Sequence, residues 1–126
     1  MPKVSKETAS EVADFAVAED RSHRLDGYTV NFVSIHEDSD LTPLLAGLPG
    51  GLCPCPHWGY LFKGRMTVRY ADREEEVIEP GDAYYLSPGH VPFAEAGSEF
   101  ISFSPSEELR VVEEAMAKAM QAMTGS

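Results

Sequence analysis

Two cysteines in 126 residues, at positions 53 and 55, are too few and too close for the disulfide framework that holds many small secreted domains. A Cys-x-Cys pair in extended backbone also keeps its Cβ atoms farther apart than a disulfide allows. Basic residues are scarce as well. Ten Lys and Arg stand against 21 Asp and Glu, and the formal charge of −11 repels phosphate backbones and anionic lipid surfaces. Neither nucleic acid nor membrane is an expected partner. The opening MPKVSKETASEVADF lacks the apolar stretch of a signal peptide, so the expected location is the cytoplasm. Residues 41–62 carry no charge and are long enough to span a bilayer. Pro43, Pro49, Pro54 and Pro56, with Gly47, Gly50, Gly51 and Gly59, break any helix there, so this stretch reads as loop followed by strand. Internal repeats, low-complexity linkers, Gly-rich phosphate loops, the Gly-x-Ser-x-Gly elbow and the His-Glu-x-x-His helix are all missing.

What is present suits one domain: 43% hydrophobic and 25% charged residues with no compositional break. Residues 5–20 hold either a short helix or an extended arm, with Val12, Phe15, Ala16 and Ala18 as their apolar positions. Residues 28–36, rich in β-branched and aromatic side chains, read as a strand. From His57 onward short strands alternate with turns. Residues 57–63 and 65–71 flank Gly64 as a hairpin, Asp72 and Arg73 mark a second turn, and Val77 and Ile78 a short strand. Pro80-Gly81 forms a β-turn, and strands follow at 83–86, 91–94 and 99–104. Such spacing indicates an all-β sandwich or barrel. The pattern then changes period. Ser104, Pro105 and Glu107 compose a capping box, and Leu109, Val112, Met116, Ala119, Met120 and Met123 form one apolar stripe on a helix.

Two segments resemble the motifs of the cupins, a family of small jelly-roll barrels. Gly64 falls seven residues after His57, as the family's glycine follows its glutamate, and residues 80–90, PGDAYYLSPGH, resemble its second motif. The resemblance implies a single cupin domain: an N-terminal arm (1–27), a jelly-roll β-barrel (28–104) and a C-terminal α-helix (105–123). Cys53 and Cys55 stand where the family has its His-x-His pair, with one or two residues fewer, and His57 stands where it has its glutamate. The family's last histidine aligns near Pro92, whereas the imidazole present is His90.

The CPCPH run also has its own chemistry. Pro54 and Pro56 push Cys53 and Cys55 out of the helical region. On a strand, Cys53, Cys55 and His57 would point to one face, and His90 from another strand would complete an S2N2 set that suits zinc best. Iron, nickel or copper fit if one cysteine drops out. Alternatively the cysteines are small buried hydrophobes and the histidines ordinary core residues, and polyproline geometry spoils the alternation. Tyr60, Tyr84 and Phe93, with Tyr85, line a ligand pocket or belong to the core. Glu95 is an acid or base or a surface carboxylate. Lys63, Arg65 and Arg69 hold a substrate carboxylate or balance Glu74, Glu75 and Glu76. His23 and His36 have no evident partner.

The expected function is a metal-binding small cupin that binds or acts on a small polar molecule in the barrel. The alternatives are a non-catalytic ligand-binding or regulatory module and a protein with a purely structural zinc. If His57 points inward, Trp58, Tyr60 and Phe62 point outward, and three adjacent exposed aromatics call for a cover. A homodimer provides one, and the chain's own arm or helix provides another.

Overall fold

The computed structural model describes residues 3–14, 16–71 and 74–124. Phe15 and the turn expected at Asp72 and Arg73 lie outside the described residues. The strands are β1 (Glu11–Asp14), β2 (Ala18–Leu25), β3 (Tyr28–Ile35), β4 (Ser39–Asp40), β5 (His57–Lys63), β6 (Met66–Tyr70), β7 (Glu76–Ile78), β8 (Ala83–Leu86), β9 (His90–Ala94) and β10 (Glu99–Pro105). One helix, α1 (Ser106–Thr124), follows. The strands make a six-stranded sheet in the order β1-β2-β3-β10-β5-β8 and a four-stranded sheet in the order β4-β9-β6-β7. This is a jelly-roll arrangement whose two sheets stay open at their edges. No helix among the described residues is long and apolar enough to cross a membrane.

The amino-terminal segment is extended. β1 pairs with β2, and β2 pairs with β3 along its whole length. Asp26 and Gly27 join β2 to β3 with φ of 49° and 84°, the two left-handed residues of a tight hairpin turn.

The expected hairpin across Gly64 does not form. β5 pairs with β10 and β8, whereas β6 pairs with β7 and β9 in the other sheet. Leu61 on β5 and Met66, Val68 and Tyr70 on β6 all belong to one buried cluster, with Ile78, Tyr84 and Leu86. The two strands therefore meet face to face across the interior, and Gly64 carries the chain between sheets. Its φ is +86°, and a Cβ there would lie 2.2 Å from the Ser98 hydroxyl oxygen. Ser98 is fully buried and bonds Arg65 on both sides of its peptide: its Oγ accepts from the Arg65 amide at 3.0 Å and donates to the Arg65 carbonyl at 3.2 Å. The Pro80-Gly81 turn forms as expected, with Gly81 at φ +94° and the Asp82 amide donating to the Glu79 carbonyl at 3.0 Å.

The helix begins at Ser106, because Pro105 still belongs to β10. Ser104 does not cap the helix. Its hydroxyl lies 2.6 Å from His57 Nδ1. Glu107 and Glu108 occupy the first helical turn, where carboxylates complement the helix dipole. Leu109 and Val112 are buried with Leu45, Leu48, Cys53, Cys55 and Val91, and Ala115 and Met116 pack against the same cluster. The chain thus covers the first half of its own apolar stripe, while Met123 near the end is exposed. The helix does not cover the aromatic face of the six-stranded sheet. Tyr28, Trp58, Tyr60, Phe62, Tyr85 and Phe103 all remain exposed. The alternation along β5 is as expected, with Leu61 fully buried between exposed Tyr60 and Phe62.

Candidate metal centre

Residues 53–56 are not a regular strand. Cys53 makes one isolated antiparallel bridge to His90: its amide donates to the His90 carbonyl at 2.9 Å, and its carbonyl accepts from the Gly89 amide at 2.8 Å. Because Cys53 and His90 are bridge partners, their side chains leave the same side of the backbone. His57, at the start of β5, enters the same space from the other sheet. Cys53 Sγ lies 3.5 Å from His57 Nε2, and the two imidazole centroids are 5.1 Å apart at 68°. One ligand atom from each of Cys53, His57 and His90 lies within 4.8 Å of the other two.

Cys55 stands outside that group. Its thiol donates to the Pro56 carbonyl at 3.4 Å and is buried in the apolar cluster beneath α1. The single bridge at Cys53 gives way to a bend at Cys55, so the two-residue alternation expected for Cys53, Cys55 and His57 is broken. The fourfold sulfur and nitrogen set of the sequence reading thus appears as one sulfur and two nitrogens.

Each histidine is oriented through its far nitrogen. His90 Nδ1 lies 2.6 Å from the Ser87 carbonyl oxygen. A carbonyl only accepts, so Nδ1 carries the proton and Nε2 keeps a lone pair. His90 is fully buried, and its Nε2 has no hydrogen-bond partner among the described residues. A buried acceptor left unpaired costs on the order of 1–3 kcal/mol, and this one belongs to the cluster that also holds Cys53 and His57. Burial, followed by the neighbouring His90 ring, lowers the His57 pKa to about 3. Burial also lowers that of His90, against the Ser87 carbonyl bond, which raises it. Both rings are therefore neutral at ordinary pH, the form in which imidazole binds a metal. Burial raises the Cys53 thiol, and burial with the adjacent Cys53 pushes Cys55 up to about 12.

The residues proposed to line a pocket do not converge. Tyr84 is buried, with its hydroxyl 2.6 Å from Ser102 Oγ and donating to the Ile101 carbonyl at 3.1 Å. Tyr60 points to the opposite face of the same sheet and is exposed. Phe93 pairs with Thr67, whose neighbours Met66 and Val68 are the inward ones, so Phe93 faces away from the interior. Lys63, Arg65 and Arg69 are dispersed too: Lys63 pairs with Glu99 at 3.4 Å, Arg65 with Glu95 at 4.0 Å, and Arg69 donates to Thr42 at 3.1 Å. Ser87 and Ser104 were not singled out as site residues. Ser104 has the sequence context of a helix cap, and nothing local marks it as a histidine partner.

No protein-family model matches the sequence, and comparison with curated proteins finds no match. Solved structures do match. A protein of unknown function from Rhizobium leguminosarum superposes with a TM-score of 0.61 at 20% identity, over 82% of this chain and 95% of that one. An RmlC-like cupin from Shewanella frigidimarina superposes with a TM-score of 0.55 at 14% identity, over 81% of this chain and 88% of that one. The chain has the cupin fold. The iron(II) form of HppE is a third match, with a TM-score of 0.55 at 10% identity over 82% of this chain and 60% of that one. Within this fold, His57 and His90 come from facing sheets, and Cys53 reaches them from the loop before β5.

Proposed function

We propose that the protein is a metal-dependent cupin in which Cys53, His57 and His90 hold one divalent cation beside a site for a small polar molecule. The observation that carries this reading is His90 Nε2, a buried lone pair with no partner, in a cluster whose members lie within 4.8 Å of one another. A thiolate with two imidazoles suits zinc, with iron, nickel or copper as alternatives, and three protein ligands leave a position open. When bound, such an ion supplies Lewis acidity to a substrate oxygen or activates water. The chain does the rest: Ser87 orients His90, burial keeps both rings neutral, and Cys53 gives up its proton on binding. Small polar groups flank His57 on the inner face of the sheet. Thr29 pairs with Ser104, and Asn31 with Ser102.

Elemental analysis of protein purified without a metal-binding tag tests this. About one divalent ion per chain, lost in His57→Ala and His90→Ala, is expected. A metal-free protein that takes up neither zinc nor cobalt overturns it. The depth of the cluster favours a second reading, a purely structural zinc, since His90 is 0% and Cys53 only 3% exposed. Under that reading His57→Ala unfolds the protein, whereas a catalytic site loses its metal with a moderate drop in melting temperature. We propose further that the protein is a cytoplasmic homodimer joined through its aromatic face.

A further inference from the structure

His57 and His90 are oriented by different kinds of partner. A backbone carbonyl fixes the tautomer of His90, whereas His57 Nδ1 faces the Ser104 hydroxyl at 2.6 Å, a group able to donate or to accept. With Ser104 donating, the ring proton sits on Nε2 and points at Cys53 Sγ, 3.5 Å away. With Ser104 accepting, the proton sits on Nδ1, and Nε2 keeps a lone pair toward Cys53 and His90. Only the second arrangement leaves His57 able to bind an ion through Nε2.

We infer that Ser104 is a positioning residue of the centre, accepting the Nδ1 proton of His57 and so directing the Nε2 lone pair into the space between Cys53 and His90. The register places it there. Phe103 on β10 pairs with Trp58 on β5, so the next residue along each antiparallel strand brings Ser104 beside His57. Ser104 is only 1% exposed, which removes water as a competing partner for Nδ1. Ser106 bonds Thr29 at 2.8 Å, so that neighbouring hydroxyl is engaged elsewhere. The helix docks immediately after Ser104, which ties the aim of the His57 ring to the junction between β10 and α1. The inference rests on the metal reading proposed above.

The test is cobalt(II) titration of the full chain, followed by absorption, for wild type, Ser104→Ala and Ser104→Thr. Loss of an outer partner of a ligating histidine typically weakens metal binding about 10–100-fold. Ser104→Ala is expected to lose that much, with the metal-free melting temperature nearly unchanged, and Ser104→Thr to restore it by keeping the hydroxyl. Cobalt affinity in Ser104→Ala equal to wild type overturns the role of Ser104. No cobalt binding by wild type overturns the metal reading instead, so the two failures are distinguishable. Nitrogen-15 NMR of the metal-free wild type, where no ion dictates the tautomer, decides independently of any variant's folding. A proton on His57 Nδ1 supports the inference, and a proton on Nε2 overturns it.

Discussion

The two cysteines differ in what surrounds their sulfur, and substitution should separate them. Cys53→Ser is expected to abolish tight metal binding. Cys55→Ala should leave the stoichiometry at one and cost roughly 1 kcal/mol through a small void beneath α1, measured by zinc titration and urea unfolding. Acid is the second probe. An unfolded chain protonates its histidines near 6.5, whereas folded His57 resists protonation down to about 3, and His90 shifts in the same direction. The folded state is therefore most stable above pH 6.5 with respect to these groups. As the pH falls from there toward 3, the unfolded metal-free chain binds a proton that folded His57 does not, and stability drops by about 1.4 kcal/mol per pH unit through His57, with His90 acting in the same direction. Urea midpoints at pH 7, 6 and 5 should decline, and His90→Gln should flatten the decline. Cys53, His57 and His90 were legible in the sequence because their types and spacing are unusual and motif-like. Their partners were not: Ser87 acts through a carbonyl that every residue has, and Ser104 acts through a register that only long-range pairing sets.

At the level of strands and helix, boundaries were easier to read than partners. The strands from β3 onward, the two-residue β4 apart, sit close to where alternation and turn residues placed them, since those signals are local. The route across Gly64 was misread because a glycine between two alternating runs looks the same whether the chain turns back within a sheet or crosses to the facing one. β2 was missed although Asp26-Gly27 is a strong hairpin signal, because its own residues, AEDRSHRL, are mostly polar. The crossing predicts a cost. Gly64→Ala combines a φ of +86° with a Cβ 2.2 Å from a buried hydroxyl, and should destabilise by about 2–4 kcal/mol, read from the urea midpoint. A loss under 1 kcal/mol would contradict this packing. The docked helix makes a parallel case. Leu109→Ala should cost about 2–4 kcal/mol, while Met123→Ala, exposed at the far end, should cost almost nothing.

For the whole molecule, the six exposed rings of Tyr28, Trp58, Tyr60, Phe62, Tyr85 and Phe103 put an apolar face on the outside of the six-stranded sheet. Trp58 touches two of the others, at centroid distances of 6.4 Å to Tyr28 and 5.0 Å to Tyr85. With close to half of each ring accessible, they offer on the order of 500 Å², most of the roughly 800 Å² per partner of a stable interface. Light scattering is expected to give twice the 13.8 kDa chain mass, and Trp58→Glu with Phe62→Glu to return the single-chain mass. A monomeric wild type would leave the face uncovered and end the dimer proposal. The open sheets carry one more consequence. Their outermost strands hold unpaired backbone groups, the kind of rim onto which a second chain can add strands without limit. Three of the four rims are guarded: β1 by Glu11 and Asp14, β4 by its length of two residues, and β7 by Glu76 beside Glu74 and Glu75. Those guards are carboxylates for the most part, and the net charge of the whole chain vanishes as the solution approaches the isoelectric point near 4.6. Turbidity should rise steeply there and fall again on either side, as open rims add strands from chain to chain.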